Sequence, residues 1–134
     1  MTTVRPFLMF TGQAEEAMRL YVDSFDDAEI NELQRYGHNE IGKIDKVQQA
    51  VFTIHGQTII CTDSIVEHQF DFTPSTSLFV ECDSLEELER VYHKLITDGE
   101  ILMPLDQYGF SEKFVWFNDR FGVSWQLNFS KKLQ

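Results

Sequence analysis

Three things are scarce in this chain of 134 residues: cysteine, basic side chains and long apolar runs. Two cysteines, Cys61 and Cys82, are too few for a disulfide scaffold and show no CxxC spacing. Only 11 Lys and Arg stand against 22 Asp and Glu, for a formal net charge of −11. A surface that acidic repels phosphate backbones and anionic lipid, which argues against nucleic-acid and peripheral-membrane partners. No apolar stretch approaches the roughly 20 residues of a membrane-spanning helix, and the N-terminus lacks the basic–apolar–small pattern of a secretion signal. The expectation is a cytoplasmic protein. With 43% hydrophobic and 25% charged residues, the rest of the composition is that of a soluble globular domain.

An internal repeat organises the chain. Residues 14–30 lie over residues 85–101 without a gap, at an offset of 71. Identities fall at Glu15/Glu86, Glu16/Glu87, Arg19/Arg90, Tyr21/Tyr92, Asp27/Asp98, Glu29/Glu100 and Ile30/Ile101. Each block follows an apolar strand candidate and precedes a β-rich stretch. The chain therefore reads as two copies of one unit, about 4–63 and 75–129, within a single domain.

Periodicity defines the unit. After the apolar run Pro6–Phe10, residues Ala14, Ala17, Met18, Tyr21, Val22 and Phe25 recur at helical spacing and form one buried stripe. In the second copy, Leu78–Cys82 leads into Ser84-x-x-Glu87, a capping box, and the stripe is Leu85, Leu88, Val91, Tyr92, Leu95 and Ile96. Gly99 is expected to stop that helix. Three strands are predicted after the first helix: Ala28–Tyr36, Lys46–His55 and Gln57–Thr62, with a tight turn at His55–Gly56. After the second come Ile101–Leu105, Glu112–Phe117 and Gly122–Phe129, turning through Asn118–Gly122. Each unit is β-α-β-β-β. Gly37–Asp45 reads as a polar loop and Asp63–Ser75 as the crossover.

Alternation along each strand separates two faces. Val123, Trp125, Leu127 and Phe129 suit the helix-covered side, which leaves Ser124, Gln126 and Asn128 on the other. Leu78, Val80 and Cys82 likewise leave Ser77, Phe79 and Glu81. Unit one offers Gln49, Val51 and Thr53, then Thr58, Ile60 and Thr62. The offset of 71 aligns Pro6, Leu8 and Phe10 with Ser77, Phe79 and Glu81.

A duplicated βαβββ unit resembles the vicinal-oxygen-chelate superfamily, which includes glyoxalase I, bleomycin-resistance proteins and extradiol dioxygenases. The run FNDRFGVSWQL, from Phe117 to Leu127, is more specific: Asp119, Phe121, Gly122 and Trp125 resemble the D-x-F-G-x-x-W signature of the PhnB-like branch. PFLMFTG from Pro6 to Gly12, Ala17-Met18-x-x-Tyr21, and Gly56 before Ile59–Asp63 are similar to the same branch. The resemblance covers nearly the whole chain. It implies an α+β fold in which two βαβββ units form curved mixed sheets around a cavity, commonly as a homodimer. The branch often carries the label 3-demethylubiquinone-9 3-methyltransferase. That chemistry finds no support here, because a Rossmann-type methyltransferase needs a glycine-rich loop after its first strand, and Gly12 stands alone.

Metal-dependent members of the superfamily place His and Glu ligands at four positions, two in each unit. Matched through the repeat, these fall at about Pro6, Ile60, Ser77 and Gln126. Only Gln126 offers a neutral oxygen suited to a cation, and one amide makes no site for zinc, nickel or iron. No metal and no cofactor are expected.

The remaining candidates are modest. His38, His55, His68 and His93 are scattered and read as surface or loop residues, with His68 in the crossover the most interesting. Glu81 is a candidate general base, set against a plain solvated acid at a strand end. Cys61 and Cys82 read as buried, inert thiols. Tyr108, Phe110, Phe114 and Trp116 cluster beside Gly109 and are expected to wall a pocket or to pack a core. Gln49 and Gln126 sit on otherwise apolar strands and must find partners: each other, water or a ligand. The candidate binding set is thus Gln49, Ile60, Ser77, Phe79, Tyr108, Phe110, Trp116 and Gln126. Three readings follow: a metal-free protein that binds an unknown small molecule, an acid/base enzyme using Glu81 or His68, and a dimeric interaction module.

Overall fold

The computed structural model describes residues 1–38 and 44–130. Residues 39–43, the centre of the polar loop expected at Gly37–Asp45, lie outside the described residues. The chain divides into two compact units, Met1–Gln69 and Phe70–Gln134.

The first unit runs β1 (Phe7–Phe10), α1 (Ala14–Ser24), β2 (Ala28–Arg35), β3 (Val47–Ile54) and β4 (Gln57–Asp63). Its sheet has the order β1-β4-β3-β2, with β1 parallel to β4 and the other pairs antiparallel. The second unit repeats this with β5 (Leu78–Glu81), α2 (Leu85–Leu95), β6 (Glu100–Tyr108), β7 (Ser111–Asn118) and β8 (Ser124–Phe129), in the order β5-β8-β7-β6. The fold class is α+β, two four-stranded mixed sheets with one helix each.

The helices bury the stripes that periodicity assigns. Ala14, Ala17, Met18 and Tyr21 are fully buried on α1, which lies against β2, β3 and β4. Tyr21 meets Phe52 at 6.3 Å between ring centroids. Leu88, Val91 and Leu95 are fully buried on α2, and Tyr92 stands edge-on to Phe117 at 5.4 Å. Beneath the helices, Phe52, Ile59 and Cys61 in one unit and Phe117, Trp125 and Leu127 in the other complete the two cores. Burial of these apolar side chains is the main favourable term for each unit.

The two helices are capped differently. Ser84 Oγ accepts from Glu87 N at 3.1 Å, and Glu87 Oε1 accepts from Asp83 N at 2.9 Å, which is the expected capping box shifted by one donor. Gln13 makes no side-chain cap on α1. The carboxylate of Asp63, at the end of β4, does that work: Oδ1 accepts from Gly12 N (2.8 Å) and Ala14 N (2.9 Å), and Oδ2 from Val47 N (2.9 Å).

Three expectations need correction. Leu95 ends α2, well before Gly99, and the left-handed residue is Asp98 at φ 58°. Gly99 is required for a different reason: a Cβ there would stand 2.3 Å from the carbonyl oxygen of Asn118. The sixth strand does not stop at Leu105 but continues to Tyr108, and Pro104 within it is tolerated because β6 is an edge strand with register shifts. Most important, the offset of 71 fails at the opening strands. Phe7 pairs with Ile60, whereas Phe79 pairs with Gln126, so Phe7 and Met9 take the open face while Leu8 and Phe10 turn toward the helix. Phe10 is 3% exposed, like Cys82 in the other unit. One extra residue separates Phe10 from α1, and Gly12, at φ 109°, accommodates it.

Candidate functional site

The signature segment is a structural clamp. Asp119 is 3% exposed, and its Oδ1 accepts from Phe121 N (2.8 Å) and Val123 N (3.1 Å) while Oδ2 accepts from Trp125 Nε1 (3.0 Å). Gly122, at φ 91°, closes the turn by donating its N–H to the Asp119 carbonyl. Asp119, Gly122 and Trp125 therefore lock the β7–β8 hairpin, and their chemistry is taken up within the fold.

The helix-free face of the second sheet carries most of the candidate residues. Cross-strand register lines up Phe79, Gln126, Trp116 and Met103 in one row. A second row holds Glu81, Asn128, Phe114 and Asp106, and a third holds Ser124, Asn118 and Glu100. Ser77 joins the third row through its hydroxyl, 2.8 Å from Ser124 Oγ. Ser124 Oγ also accepts from Trp116 Nε1 at 2.8 Å, so the indole is pinned edge-on by a serine pair. Phe79 is 57% exposed, and the side-chain amide of the half-buried Gln126 makes no hydrogen bond among the described residues. At the β6–β7 turn Tyr108 stacks on Phe110 (5.8 Å, 10°), and both stand edge-on to Phe114. Phe114 is buried and Phe110 is 63% exposed, so this cluster is part core and part surface.

Glu81 is exposed at the end of its row. Its Oε1 accepts from Asn128 Nδ2 at 2.8 Å and its Oε2 from Ser130 N at 3.2 Å. In the first unit, Ile60 is half-buried between Phe7 and Val51, and the exposed Gln49 lies opposite Gln34 on β2. Ile60 and Gln49 share a face but not a register pair. His68 is exposed, with Nε2 3.0 Å from Ser64 Oγ. It lines a cleft of about 800 Å³ in the first unit, together with Thr11, Tyr36, Lys46, Asp63 and Glu67. Residue-by-residue reading missed this cleft because its wall joins the α1 entry to the start of β3. Asn128 and Asp63 were also missed as structural centres. A polar residue on a strand adjoining the apolar core is the signal both share.

Burial pushes the Cys61 thiol up to about 12, with Asp63 adding to the effect. Cys82 is likewise pushed up to about 12 by burial and by Glu87, Glu81 and Asp83. Neither thiol is a nucleophile in this setting. The residues at the superfamily's ligand positions are equally unsuited to a transition ion. The register places Phe7 rather than Pro6 beside Ile60, and none of these side chains has a donor atom. In the second unit the Ser77 hydroxyl is paired with Ser124 Oγ at 2.8 Å, which leaves the Gln126 amide alone.

A sequence profile of the family described as 3-demethylubiquinone-9 3-methyltransferase matches residues 2–128. A Bacillus cereus structure, named as a 3-demethylubiquinone-9 3-methyltransferase and PhnB protein, is 51% identical, with 96% of this chain and 100% of that one covered at a TM-score of 0.93. A Pseudomonas aeruginosa protein is 24% identical over 98% of this chain and 100% of its own, with a TM-score of 0.87. A glyoxylase/bleomycin resistance protein/dioxygenase domain from a Frankia species, 12% identical, covers 100% of this chain and 96% of its own at 0.70, and so shares the fold. A search among curated proteins finds no match to the chain. The chain belongs to the 3-demethylubiquinone-9 3-methyltransferase-like (PhnB) family, built on the glyoxalase/bleomycin-resistance fold.

Proposed function

We propose that the protein is a metal-free binder of small molecules and that the open face of the β5-β8-β7-β6 sheet is its binding surface. The observation that carries this is Gln126. Its amide makes no hydrogen bond among the described residues, and it is flanked in register by exposed Phe79 and by Trp116, whose indole is fixed by Ser124. A fixed aromatic plate beside an amide without a partner suits a planar ligand with one polar edge.

Methyl transfer is disfavoured by the loop that would have to hold the donor. The N–H groups of Gly12 and Ala14 already bond the Asp63 carboxylate, where a nucleotide-type cofactor would need them free. The acid/base reading rests on Glu81, which shares this face. Its two oxygens are engaged by Asn128 and Ser130, so it serves first as a brace. A homodimer in the cytoplasm is part of the proposal, and the exposed Phe7 and Phe70 support an apolar contact between copies.

Titration of the protein with planar aromatic compounds, followed by tryptophan fluorescence and thermal shift, is the test. A saturating stabiliser is expected, and Gln126→Ala is expected to weaken it by about 1–2 kcal/mol through loss of the amide's hydrogen bonds. Binding that survives Gln126→Ala and Trp116→Phe unchanged would place the site elsewhere. One tightly held transition ion per chain, found by elemental analysis, would sink the metal-free reading.

A further inference from the structure

The open face of the second sheet has a surplus of acceptors and aromatic rings. Asn128 is only 5% exposed, and its Nδ2 hydrogens go to Glu81 Oε1 (2.8 Å) and Ser130 Oγ (2.9 Å). Its Oδ1 is buried and accepts from no group among the described residues, and the same holds for Asn118 Oδ1 in the third row. A buried amide oxygen without a donor is unusual in a folded protein and points to a partner of complementary chemistry.

The other groups on the face carry the same sign. Glu81 and Asp106 stand at the two ends of the second row and Glu100 at the end of the third, and no lysine or arginine occupies a position in any of the three rows. None of the three forms an ion pair among the described residues; Asp106 Oδ1 accepts only from Gln107 N, at 2.7 Å. Between the carboxylates lie Phe79 and Trp116, with the Tyr108–Phe110–Phe114 cluster beside them. Electron-rich ring faces and carboxylates both favour a cation, and an ammonium group is donor-only, which complements orphan acceptors.

We propose that this face binds a planar or aromatic compound that carries a protonated amine, with its ammonium toward Glu81 and Asn128 and its ring on Phe79 and Trp116. The proposal rests on the binding surface inferred above and narrows it to one ligand class.

The test uses three probes of one shape on the full chain: 1-naphthylmethylammonium, the neutral 1-naphthylmethanol and the anionic 1-naphthoate, titrated calorimetrically at pH 7 and low salt. The ammonium is expected to bind roughly tenfold more tightly than the alcohol, and the carboxylate most weakly. Glu81→Gln keeps an acceptor for Asn128 and is expected to reduce the ammonium's advantage severalfold while leaving the alcohol within about twofold. Should Glu81→Gln fail to fold, the salt dependence of the native chain is the second measurement: the ammonium's advantage is expected to shrink as salt rises while the alcohol's affinity stays constant. Equal affinity for ammonium and alcohol, or an advantage that survives both Glu81→Gln and added salt, overturns the cation inference and leaves the small-molecule surface standing. Failure of all three probes to bind overturns both.

Discussion

Asp119 and Asp63 show how a carboxylate without chemistry can still be indispensable. Each is 3% exposed, and each accepts three hydrogen bonds from donors within its own unit. Asp119→Ala leaves Trp125 Nε1 and two backbone N–H groups without their acceptor in a buried turn. Its unfolding midpoint in urea is expected to fall by an amount equivalent to roughly 2–4 kcal/mol, with the slope unchanged. Asp119→Asn is expected to recover part of that loss, because an amide oxygen still accepts. Asp119 was legible from its signature spacing, but its role was not: a motif names residues, and only hydrogen-bond geometry tells a clamp from a catalyst. Gly99 makes the same point. It looks like a helix stop, yet the contact that excludes a side chain comes from Asn118, which a turn-level reading does not see.

At the level of elements, the two helices are equivalent in stripe and unlike in capping. α2 is capped within its own sequence by Ser84 and Glu87, whereas α1 depends on Asp63 from the last strand of its unit. Ser84→Ala is expected to cost about 1 kcal/mol. Asp63→Ala is expected to cost roughly 2–3 kcal/mol, since three donors, two of them buried, lose their acceptor together. Hydrogen exchange distinguishes the two: Asp63→Ala should expose the Val47 amide as well as the first turn of α1, and Ser84→Ala should affect only α2. Equal, local effects would show that Asp63 does not tie α1 to β3. Glu15 adds a weaker tie between α1 and β2. Burial acts to raise its carboxyl, but the hydrogen bonds and charges of Arg19 and Arg35 outweigh this and hold it below the usual carboxylate range. These partners are 42–55% exposed, so the stabilisation is small, present above the carboxyl range and lost as pH falls through it.

The whole molecule places one buried thiol in each duplicated core. Cys61 and Cys82 are each raised from 9.0 to about 12. A thiol whose folded value lies above its unfolded one contributes stability that is complete below pH 9 and declines as pH rises toward 12, because only the unfolded chain ionises easily. Stability should therefore fall between pH 9 and 11 in the native chain, and less in the Cys61→Ala/Cys82→Ala variant when each is referred to its own value at pH 8. Identical profiles would assign the alkaline loss to other groups. The net charge of −11 belongs to the same scale. Glu15, Glu16, Glu86, Glu87 and Glu89 repeat it on the two helices, away from the buried stripes. The acidity is largely an outer surface copied with the unit, and the three acids on the open face of the second sheet are the part with a proposed use.

Element order, the duplicated unit, the helix stripes and the inward faces of β3, β4, β5 and β8 were determined by the sequence alone. They rest on apolar periods of about 3.6 and 2 residues, which are local and repeat. What only the tertiary structure decided was non-local. The opening strand β1 slipped by one residue relative to the repeat, and in a strand one residue exchanges the two faces, so Phe7 took the place expected of Leu8. Asp63 reached back 49 and 51 residues to cap α1, and Asn128 reached back 47 to Glu81. A hydrogen bond between residues so far apart leaves no period in the sequence, because it depends on which strands pair and in what register.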